Sequence, residues 1–374
     1  MTLIAIDVGG TSMKAALVPA PSGPAGSGAA TGADVLLAET WPTDRTDPVG
    51  GILDFAAHMA ARADALGRPA RAAGIAVPGI VDEASGTAVR AANLGWQDVP
   101  LLHLAEERLG VPVAVGHDVR TGGLAEAVLG AGRDAGDFVF MAIGTGIAAA
   151  LILNGTTYPG VSGWSGEVGH VVVRPGGEDC ACGNKGCLET YASAASIARR
   201  YTTRAAALTP TGGSGAVANA AGTTLGAAAA GSTLGGTGTL DSAAALDSAA
   251  GLDGAAGLDG AAAVNVAAGL DSEVAGVHAE DVIARASTDD LAARIWSEAL
   301  DCLADSLAAT TLLLDPGLFV LGGGLAQAGP LLLEPLEARL ADRLLFRPAP
   351  PLAVTRLGDR AAVHGAALLA ARLL

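Results

Sequence analysis

The sequence predicts an α/β protein that contains mixed sheets. Short apolar runs bounded by glycine or proline, a pattern typical of buried strands, alternate with segments whose apolar residues recur at helical spacing. The first 18 residues also hold two apolar runs on either side of Gly9 and Gly10, which predicts a tight hairpin. With 374 residues, the chain is long enough for two domains of ordinary size.

The individual elements follow from the same two patterns. Helical spacing of apolar residues predicts helices over residues 49–66, 101–109, 279–314 and about 359–374. Short apolar runs predict strands over residues 72–81, 111–115, 138–143, 148–153 and 318–321. Proline interrupts both kinds of element, so Pro78 with Gly79 ends one strand, and Pro316 ends the long helical region.

The charge balance excludes several classes of protein. The chain has 22 Lys and Arg against 38 Asp and Glu, a formal net charge of −16. Nucleic-acid binders need a basic face, and anionic membranes repel acidic proteins, so neither partner is expected. Residues 138–166 are uncharged, but the glycines around Thr145 predict two strands joined by a turn instead of a spanning helix. The N-terminus lacks a basic region followed by an apolar stretch, so we predict a cytoplasmic protein.

Residues 205–275 differ from the rest of the chain. They are rich in Gly and Ala, and from Leu240 a six-residue repeat of the type Leu-Asp-Ser-Ala-Ala-Ala appears. Such tracts cannot offset the entropy lost on ordering, so we expect a disordered or weakly ordered surface insertion. A left-handed β-helix of about two coils, which the hexapeptide period would allow, and an irregular helix are the alternatives.

One imidazole and three thiols predict a structural zinc site. His170, Cys180, Cys182 and Cys187 follow the spacing His-x9-Cys-x-Cys-x4-Cys, with glycines that allow tight turns between the ligands. A closed Cys3His set leaves no position for substrate, so the metal is expected to organise a loop. The alternative is reduced free thiols beside an unrelated histidine.

Three glycine-containing segments are candidates for binding a nucleotide. Backbone N–H groups of a glycine-rich hairpin can hold phosphate oxygens, and glycines at a strand-to-helix junction allow a flat ligand to approach the backbone. In the first segment a carboxylate could position hydrated Mg²⁺, although an ordinary hairpin would show the same glycines. The segments contain Asp7, Gly9, Gly10, Thr11 and Lys14; Gly144, Thr145 and Gly146; and Gly322, Gly323 and Gly324.

Asp118 is a candidate general base. It directly follows the predicted buried strand at 111–115, and a carboxylate at a strand end in a cleft can accept a proton from a hydroxyl group. Taken alone, the residue is better explained as the N-cap of a helix over residues 119–129.

These five features occur in an order that resembles the ROK family of sugar kinases, within the actin-like, hexokinase-like ATPase superfamily. The hairpin motif is widespread in that superfamily. The stretch from Gly166-Glu-Val-Gly-His170 through Cys180-x-Cys-Gly-Asn-Lys-Gly-Cys187-Leu-Glu189 is specific to the family. The resemblance covers the chain except residues 205–275 and 19–34.

The resemblance implies a two-domain actin-like ATPase fold, of the ribonuclease H type, with a cleft between the domains. Residues 1–116 plus 358–374 would form the smaller domain, and residues 117–357 the larger. ATP with Mg²⁺ would lie in the cleft, with its phosphates at the first two glycine segments and adenosine near the third.

The resemblance also implies the site residues. Asp118 would be the catalytic base that takes the proton of a sugar's 6-hydroxyl, and His170 would present one ring nitrogen to zinc and the other to the sugar. The implied substrate contacts are Asn93, His117, Gly146, Glu167, His170 and Glu189.

Two residues depart from the family pattern. His117 stands where the family usually has asparagine before the catalytic aspartate, and a neutral histidine can donate and accept hydrogen bonds with a larger ring. The sugar preference therefore depends on it. Arg120 is expected to face solvent on the helix, and the alternative is a positive charge near the site.

The predicted function is that of an ATP-dependent glucokinase. The alternatives are a kinase for N-acetylhexosamines or another hexose, and a catalytically weak sugar-binding or sensor protein. A ROK repressor is disfavoured by the acidic charge and by the hairpin that begins at Thr2. The predicted partners are a sugar and ATP, with a homodimer or homotetramer as the assembly that the resemblance suggests.

Overall fold

The fold was analysed in a computed structural model. It describes residues 1–21, 34–91, 93–208 and 276–374. The predicted insertion at 205–275 falls outside these residues apart from its first four, so the alternatives for its structure stay untested. Most of the predicted loop at 19–34 also lies outside them.

The described residues form thirteen strands and nine α-helices. The strands are β1 (Thr2–Val8), β2 (Ser12–Pro19), β3 (Leu37–Pro42), β4 (Ala70–Val77), β5 (Ile80–Asp82), β6 (Thr87–Ala91), β7 (Trp96–Val99), β8 (Val113–His117), β9 (Phe138–Ile143), β10 (Ile147–Leu153), β11 (Thr156–Thr157), β12 (Phe319–Gly322) and β13 (Leu352–Val354). The helices are α1 (Pro48–Ala65), α2 (Leu101–Leu109), α3 (Asp118–Val128), α4 (Glu189–Ala192), α5 (Ala194–Leu208), α6 (Ala279–Arg285), α7 (Asp290–Leu314), α8 (Pro330–Arg343) and α9 (Ala361–Ala371).

Two five-stranded sheets have the same plan. The first has the order β3-β2-β1-β4-β8, and the second has the order β11-β10-β9-β12-β13. In each sheet, an antiparallel hairpin supplies the central strand, which pairs on its other side with a parallel strand. That strand in turn pairs with a second parallel strand at the sheet edge. Strands β5, β6 and β7 form a separate antiparallel sheet. The carboxyl ends of the parallel strands therefore meet at one edge in each large sheet, where ligands bind in open α/β sheets.

Helices cover both faces of each large sheet. Ile52, Phe55 and Met59 of α1 pack on one face of the first sheet, and small residues of α9 pack on the other. The second sheet is covered on one face by a large cluster that includes α6, α7 and α8, and on the other by α3. Helices α3 and α9 contact each other between the two sheets. The C-terminal helix thus contributes to the core of the N-terminal sheet.

The structure refines two predicted helical segments. The region predicted as one helix over 279–314 contains two helices, because the Asp289 side chain accepts hydrogen bonds from the N–H groups of Leu291 and Ala292 and starts α7. The predicted C-terminal helix begins at Ala361, after a short 3-10 turn over Gly358–Arg360. Across the described residues, every helix is too short or too polar to cross a bilayer.

The contact between α3 and α9 depends on the absence of a side chain at Gly365. A Cβ atom there would lie 1.9 Å from the backbone oxygen of Thr121. Because helix backbone cannot move aside cheaply, we expect Gly365→Ala to lower the free energy of unfolding by about 3 kcal/mol, measured by denaturant unfolding. Gly136→Ala is the control, since a Cβ there meets nothing within 4 Å. Equal stability of the two variants would contradict this packing.

Candidate functional site

The first sheet brings the predicted phosphate hairpin and the predicted base to one edge. Asp7 lies near the end of β1, and Asp118 begins α3 directly after β8, with β4 between the two strands. In the hairpin turn, the Gly9 N–H donates to the Ser12 oxygen at 3.0 Å, and the Thr43 hydroxyl donates to the Gly9 oxygen at 2.7 Å. The turn is therefore held both by its own backbone hydrogen bond and by the side chain of Thr43.

The two carboxyl groups at this edge have raised pKa values. The pKa of Asp7 is raised to about 7, chiefly by burial and next by the negative charge of Asp118, while Lys14 acts in the opposite direction. Burial likewise raises the pKa of Asp118 to about 6, against a hydrogen bond from the Val119 N–H at 2.7 Å and the charge of Arg120. Asp118 is thus a carboxylate of increased basicity that is still ionised at neutral pH, which suits a general base.

The alternative reading of Asp118 as a helix N-cap is wrong. The ring of His117 caps α3, because its Nδ1 atom accepts a hydrogen bond from the Arg120 N–H at 3.3 Å. Asp118 is already the first residue of the helix. The cap is therefore provided by a neighbour, and the carboxylate is not needed for it.

The prediction that Arg120 faces solvent is also wrong. Its side chain is 2% exposed, and its Nε donates to Glu83 Oε1 at 2.8 Å. Its Nη1 donates to the Gly163 oxygen at 3.0 Å. Residues 120–126 of α3 are all buried, so the helix has no solvent-exposed side at this position.

Lys14 is close to the carboxylates but already has a partner. Its Nζ donates to Asp359 Oδ2 at 2.8 Å and to the Asp359 backbone oxygen at 3.2 Å. The hydrogen bond from Lys14 is the main cause of the lowered pKa of Asp359. Asp359 therefore belongs to the same group of charges as Asp7, although it lies 345 positions from Lys14 in the sequence.

The four predicted zinc ligands come together in the second half of the chain. One ligand atom from each of His170, Cys180, Cys182 and Cys187 lies within 4.8 Å of all the others. Cys180 Sγ is 3.7 Å from His170 Nδ1, and Cys182 Sγ is 3.7 Å from Cys187 Sγ. A tetrahedral zinc with bonds of about 2.3 Å to sulfur separates its ligands by about 3.8 Å. The residues therefore fit the metal.

The cysteine loop is shaped by its own backbone. The Cys180 N–H donates to the Asn184 oxygen at 2.8 Å, and the Gly183 N–H donates to the Cys180 oxygen at 2.9 Å. Burial raises the pKa of Cys187 to about 12, so this sulfur needs a cation to become a thiolate. Both features suit a structural metal.

The opposite nitrogen of His170 faces a carboxylate. Nε2 of His170 lies 4.0 Å from Glu167 Oε2, whereas Nδ1 lies among the cysteines. One ring can therefore connect the metal loop with a group outside it. Glu189 lies beside Gly146 and accepts a hydrogen bond from the Ile147 N–H at 3.0 Å, so its carboxylate is held against the second glycine segment.

The third glycine segment lies against the second. Gly323 has φ of +79°, and a Cβ there would lie 2.4 Å from the oxygen of Ile143, directly before Gly144. Glycine is required at this position both for the backbone angle and for the approach. The α-helix expected directly after these glycines does not begin there. A 3-10 turn over Gly324–Ala328 comes first, and α8 follows it.

The structure thus brings the predicted residues into three groups. Asn93 lies beside Gly10, so it belongs with the first hairpin, Asp7, His117 and Asp118. The second group holds the cysteine loop, His170 and Glu167, and the third holds Gly144 to Gly146, Glu189 and Gly322 to Gly324. The first two groups are linked, because Glu167 influences the pKa of His117 and Arg120 binds the Gly163 backbone.

Sequence reasoning missed Glu83 and Asp359 as members of the site. Glu83 Oε1 accepts from both the Arg120 guanidinium and the His117 N–H. Asp359 holds Lys14. Glu83 lies two residues after the predicted strand at 72–81, but its role depends on the distant Arg120. Asp359 follows no predicted strand.

Comparison with known proteins identifies a family. The profile of the ROK family matches residues 3–232 and 249–372. The glucokinase of Streptomyces coelicolor is 28% identical over 372 residues, which cover 98% of this chain and 96% of that protein. The glucokinase of Halalkalibacterium halodurans is 34% identical over 209 residues, 53% of this chain. A putative xylose repressor of Caldicellulosiruptor is 42% identical over 120 residues, 32% of this chain.

The last two matches are partial. The chain spans 58% of the length of the H. halodurans glucokinase and 30% of that of the repressor.

Solved structures of other proteins share this fold. A ROK family glucokinase from Streptomyces griseus, in complex with glucose and AMPPNP, superposes with a TM-score of 0.70 at 26% identity and covers 99% of both chains. A ROK hexokinase from Thermus thermophilus gives 0.67 at 25% identity, covering 99% of this chain and 98% of that one. The predicted actin-like ATPase fold is confirmed.

Proposed function

The chain belongs to the ROK family, and we propose that within it this protein is an ATP-dependent kinase that phosphorylates the 6-hydroxyl of a hexose, with glucose as the leading substrate. The observation that carries the proposal is the state of Asp118. It is half-buried, it is not needed as a helix cap, and its basicity is raised at the edge of the first sheet. A residue with these properties is suited to accept a proton from a substrate hydroxyl.

The sugar would lie between Asp118 and the metal loop. Asn93 and His117 would contact it from the first sheet, and Glu167, His170 and Glu189 from the other side. A metal on Nδ1 of His170 would fix the ring orientation, so that Nε2 points at the substrate. Paired carboxylates at Glu167 and Glu189 offer acceptors that suit a polyhydroxylated neutral sugar.

The nucleotide would lie along the three glycine segments. Backbone N–H groups of Gly9, Gly10 and Thr11 and of the Gly144–Gly146 turn would donate to phosphate oxygens, with Gly146 also close to the sugar. Lys14 would add a positive charge, and Gly322 to Gly324 would admit the adenosine. Mg²⁺, when bound near Asp7, would neutralise charge that develops on the transferred phosphoryl group.

In the transfer step, Asp118 takes the proton as the 6-hydroxyl oxygen attacks the γ-phosphorus and the bond to the β-phosphate oxygen breaks. The proton ends on Asp118, and the electron pair leaves with ADP. We further propose that residues 1–116 with 358–374 and residues 117–357 act as two domains whose closure excludes water.

A coupled ADP-release assay tests this function. Glucose, mannose, fructose, allose, N-acetylglucosamine and N-acetylmannosamine would each be supplied with Mg-ATP. We expect saturable turnover that is strongest with glucose. Strongest turnover with an N-acetylhexosamine would assign the alternative kinase, and sugar binding without turnover on any sugar would assign the sensor protein.

A further inference from the structure

His117 has both of its ring nitrogens assigned by the structure. The ring is 5% exposed, and its Nδ1 atom accepts the Arg120 N–H at 3.3 Å. Burial lowers the pKa of His117 to about 4, and the charge of Arg120 acts in the same direction, against the weaker influence of Glu167 and Glu83. The ring is therefore neutral at physiological pH. A neutral imidazole whose Nδ1 accepts must carry its proton on Nε2.

An ion pair between the buried Arg120 and the partly exposed Glu83 holds this ring in place. Glu83 Oε1 accepts from the Arg120 Nε at 2.8 Å and from the backbone N–H of His117 itself at 3.1 Å. The same guanidinium donates to the Gly163 oxygen at 3.0 Å, in the segment that leads to Glu167. One carboxylate oxygen and one guanidinium thus connect the end of β8, the start of α3 and the loop on the other side of the site.

We propose that His117 offers the substrate a single hydrogen-bond donor, Nε2–H, and that Glu83 and Arg120 are positioning residues that hold this donor toward the cleft. The proposal deepens the sugar-kinase assignment and rests on it. It narrows the substrate class, because the group that meets His117 must be an acceptor such as a hydroxyl or carbonyl oxygen. An ammonium group at that position would place donor against donor.

His117 and an asparagine differ in the hydrogen-bonding groups that they offer to a substrate. An asparagine amide presents a donor and an acceptor at the same end of its side chain. In His117, the acceptor is used within the protein by the α3 N-terminus. The donor lies 3.5 Å from Asp118 Oδ1, so the hydroxyl oxygen that it binds lies near the catalytic base.

The protonation state of His117 can be determined without measuring enzyme activity. Nitrogen–proton correlation spectra of the full-length protein with ¹⁵N-labelled histidine would be assigned by comparison with His117→Asn. We expect a neutral ring protonated on Nε2 at neutral pH, and a shift of its Nε2 signal when glucose is added. A ring protonated on Nδ1, or a charged imidazolium at neutral pH, would overturn the proposal even if the kinase is active.

The role of the ion pair is tested by removing both charges together. A lone Glu83→Gln would leave the buried guanidinium of Arg120 without its anionic partner. The informative variant is therefore Glu83→Gln with Arg120→Met. We expect the KM for the sugar to rise about tenfold, with little change in the KM for ATP, because one oriented hydrogen bond is lost. The His117 ring should keep its proton on Nε2 in the spectra, because the backbone N–H of residue 120 remains to donate to Nδ1. Arg133→Met, at an exposed arginine beyond α3, is the control and should change neither.

Substrate analogues identify the donor directly. Fluorine accepts a hydrogen bond weakly and donates none, whereas hydrogen does neither. For the hydroxyl that faces His117, the deoxyfluoro sugar should therefore bind better than the deoxy sugar, and this difference should vanish in His117→Leu and return in His117→Asn. If the deoxyfluoro sugars still bind better than the deoxy sugars to His117→Leu at every hydroxyl position, the assignment of His117 as the donor is overturned. Absence of turnover with this binding pattern intact would refute only the kinase function.

Discussion

Asp118→Asn is expected to reduce kcat by about 10²–10⁴-fold, because the carboxylate that accepts the 6-hydroxyl proton is lost. The amide keeps the shape of the side chain and can still accept the Val119 N–H. Helix α3 should form normally, since its cap is His117. Metal content and sugar binding should therefore stay close to those of the unchanged protein, and the coupled ADP-release assay should report the loss.

Asp118→Asn should also change how the thermal stability of the protein depends on pH. Because the folded-state pKa of Asp118 is raised to about 6 from an ordinary value of 3.8, the folded protein holds this proton more tightly than the unfolded chain. Stability is lost as the pH rises through this interval. Asp118→Asn removes that loss, so its Tm should exceed that of the unchanged protein more at about pH 8 than at about pH 5.

Activity should fall on the acid side over the same range. The proton that stabilises the fold blocks the base, so kcat/KM should decline below about pH 7 as Asp7 and Asp118 are protonated in turn. Asp134→Asn, at an exposed carboxylate, is the control for both measurements. Near-normal turnover in Asp118→Asn would remove Asp118 from the role of base.

The sequence predicted the parts of the site that depend on local pattern. Buried strands at 138–143 and 148–153 were predicted because they are continuous apolar runs, and the metal ligands because their spacing is short and specific. Strand β3 was not predicted, since it is an edge strand with half its residues exposed.

Other features depend on contacts between distant residues. The burial of Arg120 requires Glu83, 37 positions earlier, and the environment of Lys14 requires Asp359. The cap formed by His117 could not be foreseen either, because it depends on the direction in which β8 enters α3. The tertiary arrangement of these side chains decides their roles, and residue type alone leaves the alternatives open.

Cys187→Ser is expected to abolish stoichiometric metal binding and to lower kcat/KM for the sugar by at least about 100-fold, since changes outside the ligand shell already cost 10–100-fold in metal sites. Without the metal, the His170 ring loses the contact that fixes its orientation toward Glu167. Metal content by elemental analysis and the ADP-release assay would measure the two effects together. Cys302→Ala is the matched control, because Cys302 is buried in α7 away from the cluster.

The metal-free protein should nevertheless remain folded. Glu178, two residues before Cys180, is bound by Arg199, Arg200 and Arg204 of α5, with Arg200 Nε at 2.8 Å. Arg200 is buried and also pairs with Glu298 of α7. These ion pairs anchor the base of the loop independently of the metal, so the loss of sugar turnover should exceed the loss of stability. Global unfolding of Cys187→Ser would show instead that the metal holds the core of this half of the molecule, and metal binding that persists in the variant would remove Cys187 from the ligand set.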